Sequence, residues 1–323
     1  MYVARSTHTA SMLANGTVLV TGGYDSSIVL TSAELYDPST GNWTTTGNMN
    51  FSRQYHTASI LANGKVLVTG GYNGNVFLSA ELYDPSTGSW KTTGNMNSAR
   101  CYHTATVLSN GTVLVTGGYN GNVFLNSAEF YDPSTGNWTT TGNMNTGRSY
   151  HAATILSNGT VLVTGGSIGS TAVSSAELYD PSTRSWKTTG NMNFARQYHT
   201  ATMLANGKVL VSGGNNGNVY LNSAELYDPS TGSWTTTGNM NSARSRYTAT
   251  VLSNGKVLVS GGNNGNVYLN SAEFYDPSTG NWTATANMNS TRSDHGATVL
   301  LSGYVLITGG WVGTATASCE IYG

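Results

Sequence analysis

Charge is what this sequence has least of. Lys, Arg, Asp and Glu make up 9% of its 323 residues, and the formal net charge is -1; ordinary soluble domains carry about 25%. So little charge excludes an electrostatic footprint for nucleic acid or for an anionic membrane surface. Cysteine is almost absent: Cys101 and Cys319 sit at non-equivalent places, which excludes a disulfide framework and says nothing of redox compartment. No apolar run approaches the roughly 18 residues needed to cross a bilayer. Met1 to Ser11 (MYVARSTHTAS) lacks the apolar stretch of a signal peptide. On these grounds the chain is expected to be a cytosolic protein, a mature fragment or a domain of something longer. No segment shows the apolar period of a helix.

Glycine is what remains in abundance, and it is periodic. A Gly-Gly pair recurs at Gly22-Gly23, Gly70-Gly71, Gly117-Gly118, Gly165-Gly166, Gly213-Gly214, Gly261-Gly262 and Gly309-Gly310, in steps of 47 or 48 residues. A fixed period near 50 marks a chain built from repeated supersecondary units. In the third unit, His103 to Leu108 leads through Asn110-Gly111 to Val113-Leu-Val-Thr-Gly-Gly118. Two short β-rich runs around Asn-Gly predict a type I′ hairpin, strands a and b. Gly-Gly is expected to end strand b where a Cβ would crowd a neighbouring backbone. After a loop, Ala128 to Asp132 reads as strand c, Pro133-Ser-Thr-Gly136 as a turn capped by Asp132, and Asn137 to Thr141 as strand d. Four short, local, antiparallel strands make one propeller blade.

Each unit follows its Gly-Gly with a Tyr and then, after six intervening residues, a Trp: Tyr36 and Trp43, Tyr83 and Trp90, Tyr131 and Trp138, on to Tyr275 and Trp282. This pattern resembles the kelch motif over the whole chain, in six complete copies and a partial seventh. The resemblance implies an all-β, seven-bladed propeller of four-stranded blades, one domain over residues 1–323 with blades starting near residues 5, 53, 100, 148, 196, 244 and 292. It is similar in layout to the propeller of galactose-oxidase-like secreted proteins. Their copper site needs a cluster of unique Tyr and His residues, which this repetitive sequence does not show, so no cofactor, metal or catalytic residue is expected. The chain stops at Ser318-Cys-Glu-Ile-Tyr322, strand c of blade 7, with no Trp strand after it. Kelch rings commonly close with an N-terminal strand, but Met1 to Ala4 is too short to supply one. Blade 7 is expected to end on an open outer edge, where another chain, upstream residues of a longer parent or solvent would be the neighbour.

Most of the charges repeat with the blades. One Arg precedes each strand a (Arg5, Arg53, Arg100, Arg148, Arg196, Arg244, Arg292) and one Glu lies in each strand c (Glu34, Glu81, Glu129, Glu177, Glu225, Glu273, Glu320). Seven arginines could form an anion site at a channel mouth. Equal counts favour instead one Arg for each buried carboxylate, which needs a partner. His8, His56, His103, His151, His199 and His295 open strand a, with Tyr247 in the remaining blade. A ring of imidazoles invites a metal; satisfying a backbone group is the commoner role.

Function in a repeat protein shows where the units differ. The position after Gly-Gly reads Tyr24, Tyr72, Tyr119, Ser167, Asn215, Asn263 and Trp311. The position two after the repeated Arg reads Thr7, Tyr55, Tyr102, Tyr150, Tyr198, Arg246 and Asp294, the last two being candidates to pair with each other. Both positions fall in the d–a and b–c loops, expected on one face. Aromatic faces beside amides suit a neutral sugar, and ordinary turn residues would look the same. Blade 4 departs most, with Ser167-Ile-Gly-Ser-Thr-Ala-Val173 in its loop and Arg184 in place of the turn glycine: a gap in the rim, or drift. Ser293-Asp294-His295 names triad residue types, but neighbours on a strand point to opposite faces. The Gly-rich loops lack the Lys-Ser/Thr and helix of a phosphate cradle. Asn15, Asn42, Asn50, Asn110, Asn137, Asn158, Asn281 and Asn289 are Asn-x-Ser/Thr acceptors; with the low charge they point outside the cell. The expectation is a non-enzymatic, secreted binding module or scaffold for a carbohydrate or protein partner. A coat or filament subunit self-associating at the blade 7 edge is the second reading, and a sugar oxidase or isomerase the third.

Overall fold

The computed structural model describes all 323 residues. The chain is all-β, without a helix: a seven-bladed β-propeller of six four-stranded antiparallel sheets with their strands in the order a-b-c-d and a final three-stranded one in the order a-b-c. In blade 3 these are Thr104–Val107, Val113–Thr116, Ala128–Asp132 and Asn137–Thr140. Blade 7 has only Gly296–Val299, Val305–Thr308 and Cys319–Tyr322. The chain forms two compact units: Met1–Thr141 with Asp294–Gly323, holding blades 7, 1, 2 and 3, and Gly142–Ser293, holding blades 4, 5 and 6.

In blades 2 and 5 strand b is buried at every residue because both of its faces meet other blades of the same unit. In the first unit Leu61, Leu67 and Met96 of blade 2 pack on Val113, Val115 and Tyr131 of blade 3. In the second, Leu156, Leu162 and Met192 of blade 4 pack in the same way on Val209, Val211 and Tyr227 of blade 5. A strand covered on both sides reads as a continuous apolar run rather than an alternating one, hence Val-Leu-Val. Strand d is held by its Trp: Trp138 lies on Tyr131 with ring centroids 5.2 Å apart, and its Nε1 donates to Gly94 O of blade 2 at 2.8 Å.

The a–b turn differs from expectation. Gly16 N donates to Leu13 O, Leu13 N to Thr17 O, and only the glycine, at φ +85°, is left-handed. This is a type I turn closed by a G1 bulge, a three-residue loop, not the two-residue type I′ turn, which needs positive φ at both central residues. The c–d turn is as read: Asp132 Oδ1 accepts from Ser134 N and Oγ, and Gly136 takes φ +73°. In blade 4 Arg184 holds that glycine position at φ +56°. A side chain there costs about 1 kcal/mol or more, so Arg184→Gly is expected to raise the melting temperature, by about 2 °C for a chain of this size. Differential scanning calorimetry checks this.

The Gly-Gly pair is set by close approach. A Cβ on Gly22 would lie 2.5 Å from Arg53 O, and one on Gly23 at 2.5 Å from Ser6 O. The N-terminal residues act as the d–a segment of blade 1: Tyr2 N and Val3 N donate to Glu34, as Asn50 N and Phe51 N do to Glu81. They do not form a strand on blade 7.

Candidate binding face

The d–a and b–c loops lie together, as expected: the residue after Gly-Gly pairs through its backbone with the residue after the repeated Arg, Ser6 with Tyr24, Gln54 with Tyr72, Cys101 with Tyr119 and Gln197 with Asn215. What fixes this face from below is the repeated Arg. Arg100 is fully buried; its Nη1 donates to Gly117 O and Ser127 O, and its Nη2 donates to Ser127 Oγ and, at 2.6 Å, to Glu129 Oε1. Glu129 Oε2 accepts from Asn97 N and Nδ2. Equivalent pairs join Arg5 to Glu34, Arg53 to Glu81, Arg148 to Glu177, Arg196 to Glu225 and Arg244 to Glu273. These arginines tie strand c to the segment leading into strand a and offer no anion site. Burial lowers the Arg100 pKa, with Glu129 opposing.

The histidines also face inward; His56 and His199 bond to backbone groups, as expected, and threonine hydroxyls of the neighbouring blade are further partners. His8 Nε2 lies 2.9 Å from Thr308 Oγ1, His103 Nε2 3.1 Å from Thr57 and Thr69 Oγ1, and His199 Nε2 2.9 Å from Thr164 Oγ1. Where Tyr247 replaces His, Ser212 replaces the threonine, making room for a longer side chain whose Oη lies 2.7 Å from Ser212 Oγ. No three His, Cys, Asp or Glu residues gather in a metal-holding geometry.

Above this layer is a feature that sequence reasoning missed. Thr7, Tyr55, Tyr102, Tyr150, Tyr198, Arg246 and Asp294 all have φ between 51° and 56°. Bulky residues rarely adopt the left-handed region. In five of them it turns the N–H toward the preceding blade: Thr7 N donates to Asp294 O, Tyr55 N to Thr7 O and Tyr102 N to Tyr55 O in one unit, and Tyr198 N to Tyr150 O and Arg246 N to Tyr198 O in the other. The side chains stack in consequence. Tyr55 and Tyr102 have ring centroids 4.4 Å apart, Tyr150 and Tyr198 4.2 Å, and the Arg246 guanidinium sits 4.2 Å over the Tyr198 ring. Arg246 and Asp294 fall in different units.

The loop residues gather unevenly. Tyr72, Tyr102 and Tyr119 meet in one groove of about 660 Å³ between blades 2 and 3, with Asn75, Val76, Asn120 and Gly121 along its sides and Cys101 among its lining residues. None of its lining residues is charged. Burial pushes the Cys101 thiol up to about 12, so it contributes no nucleophile. Trp311 and Tyr24, on blades 7 and 1, are stacked with centroids 6.2 Å apart. Tyr119 Oη donates to Gly121 O, which fixes its ring against the loop. The amides serve the loops themselves: Asn215 Oδ1 accepts from Gly217 N and Gln197 Nε2, and Asn263 Oδ1 from Gly265 N. The blade 4 loop is no gap: Ser167–Ile168 and Thr171–Ala172 form a short hairpin. All eight candidate glycosylation asparagines are exposed, but Asn50 donates its Nδ2 to Glu81 at 2.8 Å, so a glycan there would break a contact of the buried layer.

A family model described as the KLHDC2/KLHL20/DRC7 Kelch-repeats domain matches residues 2–166 and 139–310. No curated protein matches the chain. Among solved structures, the chain is similar to one described as a novel fungal alcohol oxidase with catalytic diversity among the AA5 family, in complex with copper. The TM-score is 0.77 and the identity 20%, over 95% of this chain and 70% of that one. At that identity the likeness is one of fold.

Proposed function

The chain belongs to the kelch-repeat family of β-propeller domains, and from that premise we propose that it is a binding module without chemistry of its own. It takes a neutral ligand, a carbohydrate, on its d–a/b–c face, and works outside the cell. The observation that carries the reading is the convergence of Tyr72, Tyr102 and Tyr119, from three different loops, on one uncharged groove. Tyrosine rings offer flat apolar faces to sugar C–H groups, and the neighbouring Asn75 and Asn120 offer amides to hydroxyls. The loops are held from beneath by buried Arg–Glu pairs, so the site is largely formed before the ligand arrives. Low charge and seven exposed Asn-x-Ser/Thr acceptors besides Asn50 support an extracellular setting.

A glycan array on the purified chain tests this. A selective sugar is expected to bind, and Tyr72→Ala to weaken it at least about tenfold, the equivalent of about 1.4 kcal/mol of stacking contact. Trp311→Ala reports whether the stacked Trp311–Tyr24 pair belongs to the same site. A blank array, or binding indifferent to Tyr72→Ala and Tyr102→Ala, rejects the groove.

A further inference from the structure

We propose that the Asn120-Gly121 step, on the wall of the groove between blades 2 and 3, is a self-modification site. There the glycine amide converts the asparagine to aspartate or isoaspartate and charges a groove that is otherwise neutral. The reaction needs only water. Gly121 N gives its proton to solvent base and attacks Asn120 Cγ. The new N–C bond forms as the Cγ–Nδ2 bond breaks, and Nδ2 takes a proton from water and leaves as ammonia. Water then opens the cyclic imide at either carbonyl. In sum one water is consumed and one ammonia released, with nothing oxidised or reduced. Asn-Gly steps favour this reaction because glycine has no side chain to hinder the attack. The chain has ten of them, and the fold sorts them.

The glycine N–H decides, since attack begins with loss of its proton and a hydrogen-bonded amide keeps that proton. In the six a–b turns it is held: Gly16, Gly64, Gly111, Gly159, Gly207 and Gly255 each donate to the leucine three residues before. In the b–c loops of blades 5 and 6 it is held differently, Gly217 N by Asn215 Oδ1 at 3.1 Å and Gly265 N by Asn263 Oδ1 at 2.6 Å. Tyr72 and Tyr119 stand in that place in blades 2 and 3 and supply no acceptor; Tyr119 Oη instead donates to Gly121 O. Gly74 N and Gly121 N are the two left without a protein partner, and both glycines are exposed. Of the two, Asn120 is the better electrophile. Asn122 N and Val123 N donate to its Oδ1 at 2.9 and 2.8 Å. That oxygen gains negative charge in the attack, so two donors are in place before it. Asn73 Oδ1 has only Asn75 N, at 3.4 Å, and its Nδ2 is tied to Ser52 Oγ. Blade 5 is the internal comparison. Asn216 Oδ1 takes the same two donors, Asn218 N and Val219 N. The loops at 117–126 and 213–222 differ only at Tyr119/Asn215 and Phe124/Tyr220. What separates them is the free glycine amide. A carboxylate at 120 puts a negative charge into the groove that Tyr102 and Tyr119 line. The conversion holds for any ligand; release of the neutral sugar proposed above rests on that reading.

The test is to incubate the full chain in mildly alkaline buffer and follow each Asn-Gly step by peptide mass mapping. Asn120 is expected to convert faster than Asn216, Asn264 or any of the six turn asparagines, by about fivefold or more, the protection one ordinary hydrogen bond gives. Asn73 is expected to fall between. Hydrogen exchange of the glycine amides is expected to rank the same way. Tyr119→Asn, which copies blade 5, is expected to slow Asn120 to the rate of Asn216, and Asn215→Tyr to speed Asn216 to the rate of Asn120. Each variant takes a residue that another blade already carries at that place, so the fold is kept. Conversion at Asn120 no faster than at Asn216 and Asn264 overturns the proposal. So does a rate that Tyr119→Asn leaves unchanged, or an ordering that persists in denaturant, since the fold is then not its source.

Discussion

Glu129→Gln is expected to cost about 3–5 kcal/mol, the range for breaking one partner of a buried ion pair. The carboxylate is an acceptor at both oxygens: Oε1 takes Arg100 Nη2 and Ser98 N, and Oε2 takes Asn97 N and Nδ2. Glutamine keeps one acceptor and turns an NH₂ toward donors, leaving Arg100 buried without its counter-charge. Arg100→Lys is not expected to be mild either, because one ammonium cannot reproduce the fork that reaches Gly117 O, Ser127 O and Glu129 together. The damage should be local. Hydrogen exchange of Glu129→Gln should rise first over residues 97–102, the segment that carries Tyr102 into the proposed site. Sugar binding should therefore fall at temperatures where the rest of the chain is still folded. Uniform exchange across all blades would mean that the pair serves global rather than local order.

How much of this was legible depends on whether a residue's partner lies within its own repeat. The Arg–Glu pairs were readable because the two residue types recur in equal number and a buried carboxylate has few ways to be satisfied. The c–d turn was readable from Asp-Pro-Ser-Thr-Gly alone. The a–b turn was misread because Asn-Gly fits two loop lengths, and only the Leu13 N to Thr17 O bond chooses between them. The hydroxyl partners of the histidines lie in the neighbouring blade, so they were invisible one unit at a time. The paired change to Tyr247 and Ser212 was the available signal, and it lies in different blades. The left-handed tyrosines had no signal at all. No local preference puts Tyr at positive φ; at Tyr55, Tyr102 and Tyr198 the conformation goes with a hydrogen bond from the N–H to the preceding blade.

The second large effect expected is a loss of stability on mild acidification. Burial, reinforced by the charge of Arg53, lowers the His56 pKa from 6.5 to about 3, and burial also holds His199 well below its ordinary value, next to Arg196 and His151. Both imidazoles are therefore neutral in the folded chain and free to protonate when it unfolds. A depressed histidine contributes its stability in full above about pH 6.5 and loses it as the pH falls from there toward 3. For His56 alone the difference is of order several kcal/mol. The turn aspartates act lower: Asp84 and Asp276, held near 2 first by hydrogen bonds from Ser86 and Ser278, lose their contribution between about 3.8 and 2. Loss of melting temperature between pH 6.5 and 4.5 thus reports mainly on histidine. The chain carries its own control in Tyr247 over Ser212, a non-titrating solution to the same packing problem. His199→Tyr combined with Thr164→Ser copies it into the preceding pair of blades. This double variant is expected to melt near the parent at pH 7.5 and above it at pH 4.5, by calorimetry. If the two chains lose stability in parallel over that interval, the neutral buried histidines are not the source of the acid sensitivity.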